Sequence, residues 1–115
     1  MYSMKKTDIT RLQHMLDAAR EIRAYMKERS RVEIENDRIL SLGLVKEVEI
    51  IGEAASKVSQ EAREQLPNIE WRKIIGMRHR LVHVYFEIDE DILWDTIAYN
   101  IPRLIQELER LPDLR

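Results

Sequence analysis

The stretch that decides both the fold and the site runs from Gly76 to Tyr85 and reads GMRHRLVHVY. Within about two turns of a predicted helix it carries Arg78, His83 and Tyr85, three side chains suited to work on a phosphate. Arginine is always charged and offers a planar fork of donors to phosphate oxygens. Histidine takes and gives a proton near neutral pH, and the phenol of tyrosine donates a hydrogen bond or accepts a covalent modification. No other part of the sequence concentrates chemistry in this way.

This stretch falls in the third of four helices that are predicted from apolar residues recurring every three to four positions. The four predicted helices span residues 8–27, 37–58, 70–84 and 89–111, and a short extra helical turn is predicted over residues 59–66. Glycine and proline are few, three of each, which favours long helices with short connections over a turn-rich β fold. The sequence therefore predicts an all-α, antiparallel four-helix bundle, with residues 1–115 forming a single domain.

Local signals mark where these helices begin and bend. Ser30 and Glu33 have the spacing of a capping box ahead of the second long helix. Asp89 is a predicted N-cap of the last helix, where the acidic residues that follow are favourable in the first turn. Pro102 lies inside that helix, so we expect a kink or a released backbone hydrogen bond there.

Two glycines and two tryptophans carry packing predictions. Glycine weakens a helix by about 1 kcal/mol relative to alanine, so Gly52 and Gly76 are expected where helices approach each other closely. Trp71 and Trp94 open the third and fourth predicted helices and are expected to pack in the core or at a subunit contact.

Composition excludes several classes of protein. The chain has 115 residues, 44% hydrophobic and 35% charged, and these values are typical of a globular domain with a solvated surface. It contains no cysteine, which removes disulfides, thiolate metal sites and thiol nucleophiles. Neither a secretory signal nor an apolar run of about 18 residues is present, so we expect no membrane association and a cytoplasmic location.

The charges are segregated along the chain although the formal net charge is only −2. Residues 71–85 contain Arg72, Lys73, Arg78 and Arg80 without a carboxylate, whereas residues 86–95 contain five carboxylates without a cation. Overall basicity is therefore not a means of binding nucleic acid here. A local basic surface could bind a polyanion weakly or pair with the acidic segment beside it.

The motif residues also have structural explanations. On one helix, Arg78 and His83 would point about 140° apart, so they would converge more easily at a site shared by two chains. Arg78 could equally pack its stem and pair its head with a nearby carboxylate. His79 and His83 have the spacing of metal ligands on one helix face, but no Glu or Cys completes a site, so two surface histidines are favoured and no metal is predicted. His14 is also expected at the surface.

The run Arg78-His79-Arg80-Leu81-Val82-His83-Val84-Tyr85 resembles the signature of the HEPN superfamily, an arginine followed four to six residues later by a histidine. More closely it resembles the HepT toxin family, whose pattern is Arg, four residues, His, one residue, Tyr. The resemblance spans nearly the whole chain and includes Ile51-Gly52-Glu53-Ala54, Trp71, Gly76-Met77, Ile88-Asp89 and Leu93-Trp94. His79 stands where the family usually has asparagine.

The resemblance implies a four-helix HEPN fold, a homodimer whose paired third helices form a cleft, and metal-independent cleavage of RNA. It implies that Arg78 and His83 are catalytic and that His79, Arg80 and Tyr85 bind RNA or assist. It further implies a toxin held in a hetero-oligomer with a nucleotidyltransferase antitoxin of the MNT type, which adds AMP to Tyr85. No cofactor is implied. The alternative from another class is a non-catalytic module for dimerisation or nucleotide binding that partners a nucleotidyltransferase.

Overall fold

Four helical courses form the predicted all-α antiparallel bundle in the computed structural model, which describes residues 3–83 and 87–115. The helices, numbered in chain order, are α1 Lys6–Met26, α2 Arg31–Glu35, α3 Arg38–Ser56, α4 Gln60–Glu64, α5 Trp71–Leu81, α6 Glu90–Asp95 and α7 Ile101–Leu108. A π-helical turn, Thr96–Asn100, joins α6 to α7, so these two helices form one course. Helix α4 is the predicted extra turn, and α2 is a second short helix. Within the described residues no helix combines the length and apolarity needed to cross a membrane.

The core lies where the apolar stripes of the long helices meet. Helix α1 packs against α3 and α7, and α3 also packs against α5. Because α5 rests mainly on α3 and α7 mainly on α1, α5 and α7 make little contact with each other. The largest fully buried apolar side chains come from all four courses: Leu12, Met15, Leu16, Ile22, Leu44, Ile51, Leu81, Leu93, Ile105 and Leu108. Trp71 and Trp94 pack against this core while partly exposed, which confirms their predicted packing.

The helix starts agree with the sequence signals. The Ser30–Glu33 capping box is complete, with the Ser30 hydroxyl accepting the Glu33 amide and the Glu33 side chain accepting the Ser30 amide. Asp37 caps α3 by accepting the Leu40 amide at 3.0 Å, and Asp89 caps α6. Each cap satisfies backbone donors that have no partner within the first turn of a helix.

The π-helical turn follows from Pro102. Proline has no backbone N–H, so the carbonyl four residues earlier loses its usual helical donor. Just before Pro102 the helix widens to a π-helical turn, in which the Ile101 N–H donates to the carbonyl of Thr96, five residues earlier. The predicted loss of a helical hydrogen bond at Pro102 is thus absorbed by one wider turn.

Helix α5 is shorter than predicted. It ends at Leu81, and Val82 is extended, with φ −120° and ψ 122°. Val82 forms an isolated antiparallel bridge with Ile88, and the Asp89 N–H donates to the carbonyl of Leu81 at 2.8 Å. A β-branched valine favours this extended backbone. The prediction that the helix continues beyond Leu81 is therefore wrong, and its predicted end at Val84 lies outside the described residues.

The two glycine predictions have opposite outcomes. A Cβ on Gly52 would lie 3.1 Å from the carbonyl oxygen of Ile74, so Gly52 does permit the close approach of α3 and α5. A Cβ on Gly76 would meet no atom within 4 Å. The close packing expected at Gly76 is therefore wrong, because no described part of the chain packs against this position.

Candidate active site at the end of α5

Arg78 lies in the last turn of α5 and remains partly exposed, with 38% of its side-chain surface accessible. Its Nε lies 3.5 Å from Oε2 of Glu49 on α3. One sequence-based alternative, an arginine head paired with a carboxylate, is therefore realised, and the carboxylate comes from α3. A pair this exposed contributes at most about 1 kcal/mol, so the guanidinium can exchange Glu49 for a phosphate.

His83 lies two residues beyond the end of α5, in the extended segment. Its backbone N–H donates to the backbone carbonyl of Glu87 at 2.8 Å. This bond fixes the backbone that carries the imidazole. The side chain is 54% exposed, and its Nε2 lies 3.5 Å from Oδ2 of Asp89. Because His83 is not on the helix, the predicted 140° separation from Arg78 is wrong, and so is the predicted helix face shared with His79.

Asp89 uses its two carboxylate oxygens for two partners. Oδ1 accepts the Ile92 amide at 3.1 Å as the cap of α6, and Oδ2 faces His83. The Ile92 amide chiefly, and His83 in addition, hold the pKa of Asp89 below its ordinary value, although partial desolvation opposes them. The carboxylate is therefore ionised at neutral pH and available to an imidazole.

Sequence reasoning identified Asp89 only as a helix cap and missed its contact with the candidate catalytic histidine. The available signal was its position: it follows His83 after a connection too short to carry the start of α6 far from the end of α5. A capping carboxylate uses one oxygen for the helix, which leaves the second oxygen for a neighbour.

The other predicted site residues are divided between described and undescribed parts of the chain. His79 and Arg80 are exposed in the last turn of α5, where positive charge is favourable to the helix dipole. Tyr85, the predicted site of modification, lies outside the described residues. The structure thus brings Arg78, His79, Arg80 and His83 to one end of α5.

The acidic segment does not neutralise this basic surface. Asp91 pairs with Arg31 of α2, and Arg31 also binds Glu35 of the same helix. Among residues 3–83 and 87–115, Arg72, Lys73 and Arg80 have no carboxylate within ion-pair distance. Lys73 and Arg80, which lie on nearly the same side of α5, are therefore open to an anionic ligand.

The arrangement supports acid–base chemistry at a phosphate. A partly exposed imidazole backed by a carboxylate is the arrangement that holds a general base in position, and a neighbouring guanidinium can neutralise a phosphate oxygen. Within the described part of the chain, no group of three or more metal-binding side chains is clustered.

Comparison with known proteins shows which family the chain belongs to. The all-α bundle is consistent with the fold of the HEPN superfamily, and the family match below places the chain in that class. Residues 15–111 match the family model described as "Ribonuclease HepT-like". The chain belongs to the HepT-like ribonuclease family, as the resemblance implied.

Three relatives are similar to this chain over almost their full lengths. "Putative RNase MJ1380" of Methanocaldococcus jannaschii is 31% identical over 107 residues, which cover 92% of this chain and 98% of that protein. "Putative RNase TTE0752" of Caldanaerobacter subterraneus subsp. tengcongensis is 33% identical over 92% of this chain and 95% of its own. "Probable ribonuclease HepT" of Thermococcus cleftensis is 30% identical over 94% of this chain and 98% of its own. No solved structure matches the chain.

Proposed function

We propose that this protein is an endoribonuclease that cleaves RNA without a metal ion and acts as the toxin of a toxin–antitoxin pair. The observation that carries the proposal is the contact of 3.5 Å between His83 Nε2 and Asp89 Oδ2, on the segment that follows the last turn of α5, where the guanidinium of Arg78 is partly exposed. Membership of the HepT-like family and the ribonuclease names of the relatives support the choice of RNA as substrate.

In the proposed reaction, His83 takes the proton from an RNA 2′-hydroxyl, and the oxygen attacks the adjacent phosphorus. The bond from phosphorus to the 5′-oxygen breaks, and that oxygen receives a proton from a general acid. The products are a 2′,3′-cyclic phosphate and a 5′-hydroxyl. Arg78 binds the non-bridging oxygens and stabilises the charge that builds up on them. Asp89 acts as a positioning residue, because it holds the imidazole and stabilises its protonated form.

Two imidazoles suit this reaction better than one, because one accepts a proton while the other donates one. We therefore propose a homodimer in which the α5 helices of two protomers line a common cleft and each supplies Arg78 and His83. The partial exposure of both side chains supports this arrangement, since neither is buried within its own subunit.

Regulation by a nucleotidyltransferase antitoxin of the MNT type is part of the same proposal. AMP attached to Tyr85, two residues after His83 in the sequence, would add bulk and negative charge beside the site. Like charge would then repel the RNA backbone. Intact mass of the protein co-expressed with such a nucleotidyltransferase tests this step, and added AMP units would confirm it.

Cleavage of RNA by the purified protein in the presence of EDTA tests the central proposal. Arg78→Ala and His83→Ala are each expected to lower the rate by about 100-fold or more, with the helical circular dichroism retained. His14→Ala and Arg110→Ala serve as controls, because they remove the same side-chain types from exposed positions on α1 and after α7. Full activity in both site variants would refute the proposal.

If the wild-type protein neither cleaves RNA nor stops growth but binds a nucleotidyltransferase stably, the protein is a non-catalytic module instead. Expression of this protein alone in growing cells decides between the two functions, because only the nuclease is expected to stop growth. Binding to a nucleotidyltransferase fits both functions.

A further inference from the structure

A groove separates α5 from α7 and lies apart from the Arg78–His83 site. It exists because these two helices pack on different neighbours, with α3 between them as a floor. The groove holds a cavity of about 410 Å³, which is within the range of small-molecule sites. Neither Arg78 nor His83 lines it.

The floor and the rim of this cavity differ in chemistry. The floor is apolar and includes Ile51 of α3, Ile74 and Met77 of α5, and Leu104 of α7. The rim carries the cations Lys73 and Arg103 and the amides of Asn68 and Asn100; the carboxylates of Glu70 and Glu107 also line the cavity, and Glu107 is paired with Arg110. An apolar floor below a few convergent polar groups is the usual composition of a site for an amphipathic ligand.

Four polar groups of the rim, the two cations and the two asparagine amides, have no partner within the described part of the chain. Among residues 3–83 and 87–115, Lys73 and Arg103 have no carboxylate within ion-pair distance, and neither Asn68 nor Asn100 makes a side-chain hydrogen bond to the protein. A ligand that brings both a flat ring with polar edges and an anionic group would satisfy all four. A purely apolar side chain from a partner protein would leave the two cations and both amides without a partner.

We propose that this cavity binds one nucleotide of the RNA strand, with the base against the apolar floor and its phosphate at Lys73 and Arg103. This inference rests on the proposed function, and it adds a site for the substrate away from the phosphate that reacts. Side-chain amides hydrogen-bond to base edges, and lysine and arginine are the common phosphate ligands.

Helix α5 connects this cavity to the reaction site. Met77 of the floor directly precedes Arg78, and Lys73 lies five residues before Arg78, about 7.5 Å along the helix axis and about 140° around it. Lys73 and Arg80 are seven residues apart and therefore lie on nearly the same side of α5. A strand that runs along this side would meet Lys73 near the cavity and Arg80 near His83.

The test measures binding at the cavity independently of cleavage. The probe is a short RNA with 2′-O-methyl groups, which lacks the attacking hydroxyl and stays intact. The protein carries 13C-labelled methionine methyl groups, and Met77 reports on the cavity while fully buried Met15, in the core, is the reference. We expect the Met77 methyl signal to shift on titration and the Met15 signal to stay.

Adjacent residues provide a matched pair of variants. Lys73→Ala is expected to weaken binding of the probe by about fivefold and to raise KM for RNA cleavage similarly, with kcat within about twofold. Arg72→Ala removes the same charge from an exposed position that does not line the cavity, and it is expected to change binding by less than about twofold.

If the probe binds without moving the Met77 signal, or if both variants weaken binding equally, the cavity proposal is wrong while the nuclease proposal stands. A Met77 shift with free mononucleotides but not with the RNA probe also overturns it, since the site would then take a free nucleotide. Failure of the wild-type protein both to bind the probe and to cleave RNA overturns both proposals together.

Discussion

The imidazole of His83 faces the same carboxylate that starts helix α6. Oδ2 of Asp89 lies 3.5 Å from Nε2 of His83, while Oδ1 of Asp89 accepts the Ile92 amide at 3.1 Å. The backbone reinforces this contact, because the Asp89 N–H donates to the carbonyl of Leu81 at the end of α5. The position of the candidate base therefore depends on the junction between two helices.

Replacing Asp89 by asparagine separates the two roles of this carboxylate. Asparagine caps a helix about as well as aspartate, so α6 is expected to stay intact. Loss of the charge removes the group that stabilises a protonated imidazole, so we expect kcat to fall by roughly tenfold. Steady-state kcat at pH 7, with circular dichroism to confirm that the helices are intact, checks this.

Asp37→Asn is the control for that variant, because Asp37 caps α3 in the same way, accepting the Leu40 amide at 3.0 Å, without a histidine partner. It should leave kcat unchanged. A kcat for Asp89→Asn equal to the wild-type value would show that Asp89 is only a cap.

Glu49 holds Arg78 through a contact of 3.5 Å, and we expect it to compete with the phosphate of RNA for the guanidinium. Glu49→Gln should lower KM for RNA by about threefold and change the free energy of unfolding by less than about 1 kcal/mol. Glu53→Gln is the control, since Glu53 lies one turn further along α3 and pairs with Lys57 instead. An unchanged or higher KM in the Glu49 variant would contradict this competition.

The two glycines of α3 are expected to respond in opposite directions to alanine. Gly52→Ala would place a Cβ 3.1 Å from the Ile74 carbonyl, so α5 must shift, and we expect a loss of about 1–3 kcal/mol in the free energy of unfolding. Gly43→Ala meets nothing within 4 Å and should stabilise the protein by up to about 1 kcal/mol, because alanine favours a helix. Urea unfolding of both variants measures the difference, and equal effects would refute the close approach at Gly52.

Glu47 on α3 makes stability depend on pH. Its pKa is raised, chiefly by burial and also by the charge of Glu21, and its Oε2 is buried without a hydrogen-bond partner among the described residues. The folded protein therefore holds this proton to higher pH than the unfolded chain does. The stability that results is present below the ordinary glutamate pKa and is lost as pH rises through the folded pKa.

Glu47→Gln removes this loss, so we expect it to raise the urea midpoint at pH 7 and to raise it less at pH 4. Exposed Glu64 on α4 provides the control variant Glu64→Gln. Urea midpoints at the two pH values check the prediction, which fails if the gain from Glu47→Gln is the same at both.

Local signals in the sequence predicted the fold well where the interactions are themselves local. The capping box at Ser30 and Glu33, and the cap at Asp89, involve residues three positions apart, so the sequence contains both partners. The end of α5 was missed because it depends on Ile88, which pairs with Val82 across a connection. Helical periodicity cannot report a bond of that kind, and Leu81 and Val82 both fit the helical pattern.

The candidate site was predicted in its residue types and less well in its geometry. Spacing and family resemblance identified Arg78 and His83, but the angle between them was derived from a helix that ends at Leu81. Glu49 and Asp89 were missed as partners because both come from other elements, and packing decides which carboxylate is near. Gly52 and Gly76 look alike in the sequence, and only the position of α3 beneath α5 distinguishes them.

The dual role of Asp89 has a consequence for the order in which the site is completed during synthesis. Arg78 and His83 are synthesised before the carboxylate that orients the imidazole, and that carboxylate acquires its fixed place only once α6 has formed. On the proposed mechanism, a chain that ends before Asp89 carries both reactive groups but lacks the carboxylate that positions the imidazole.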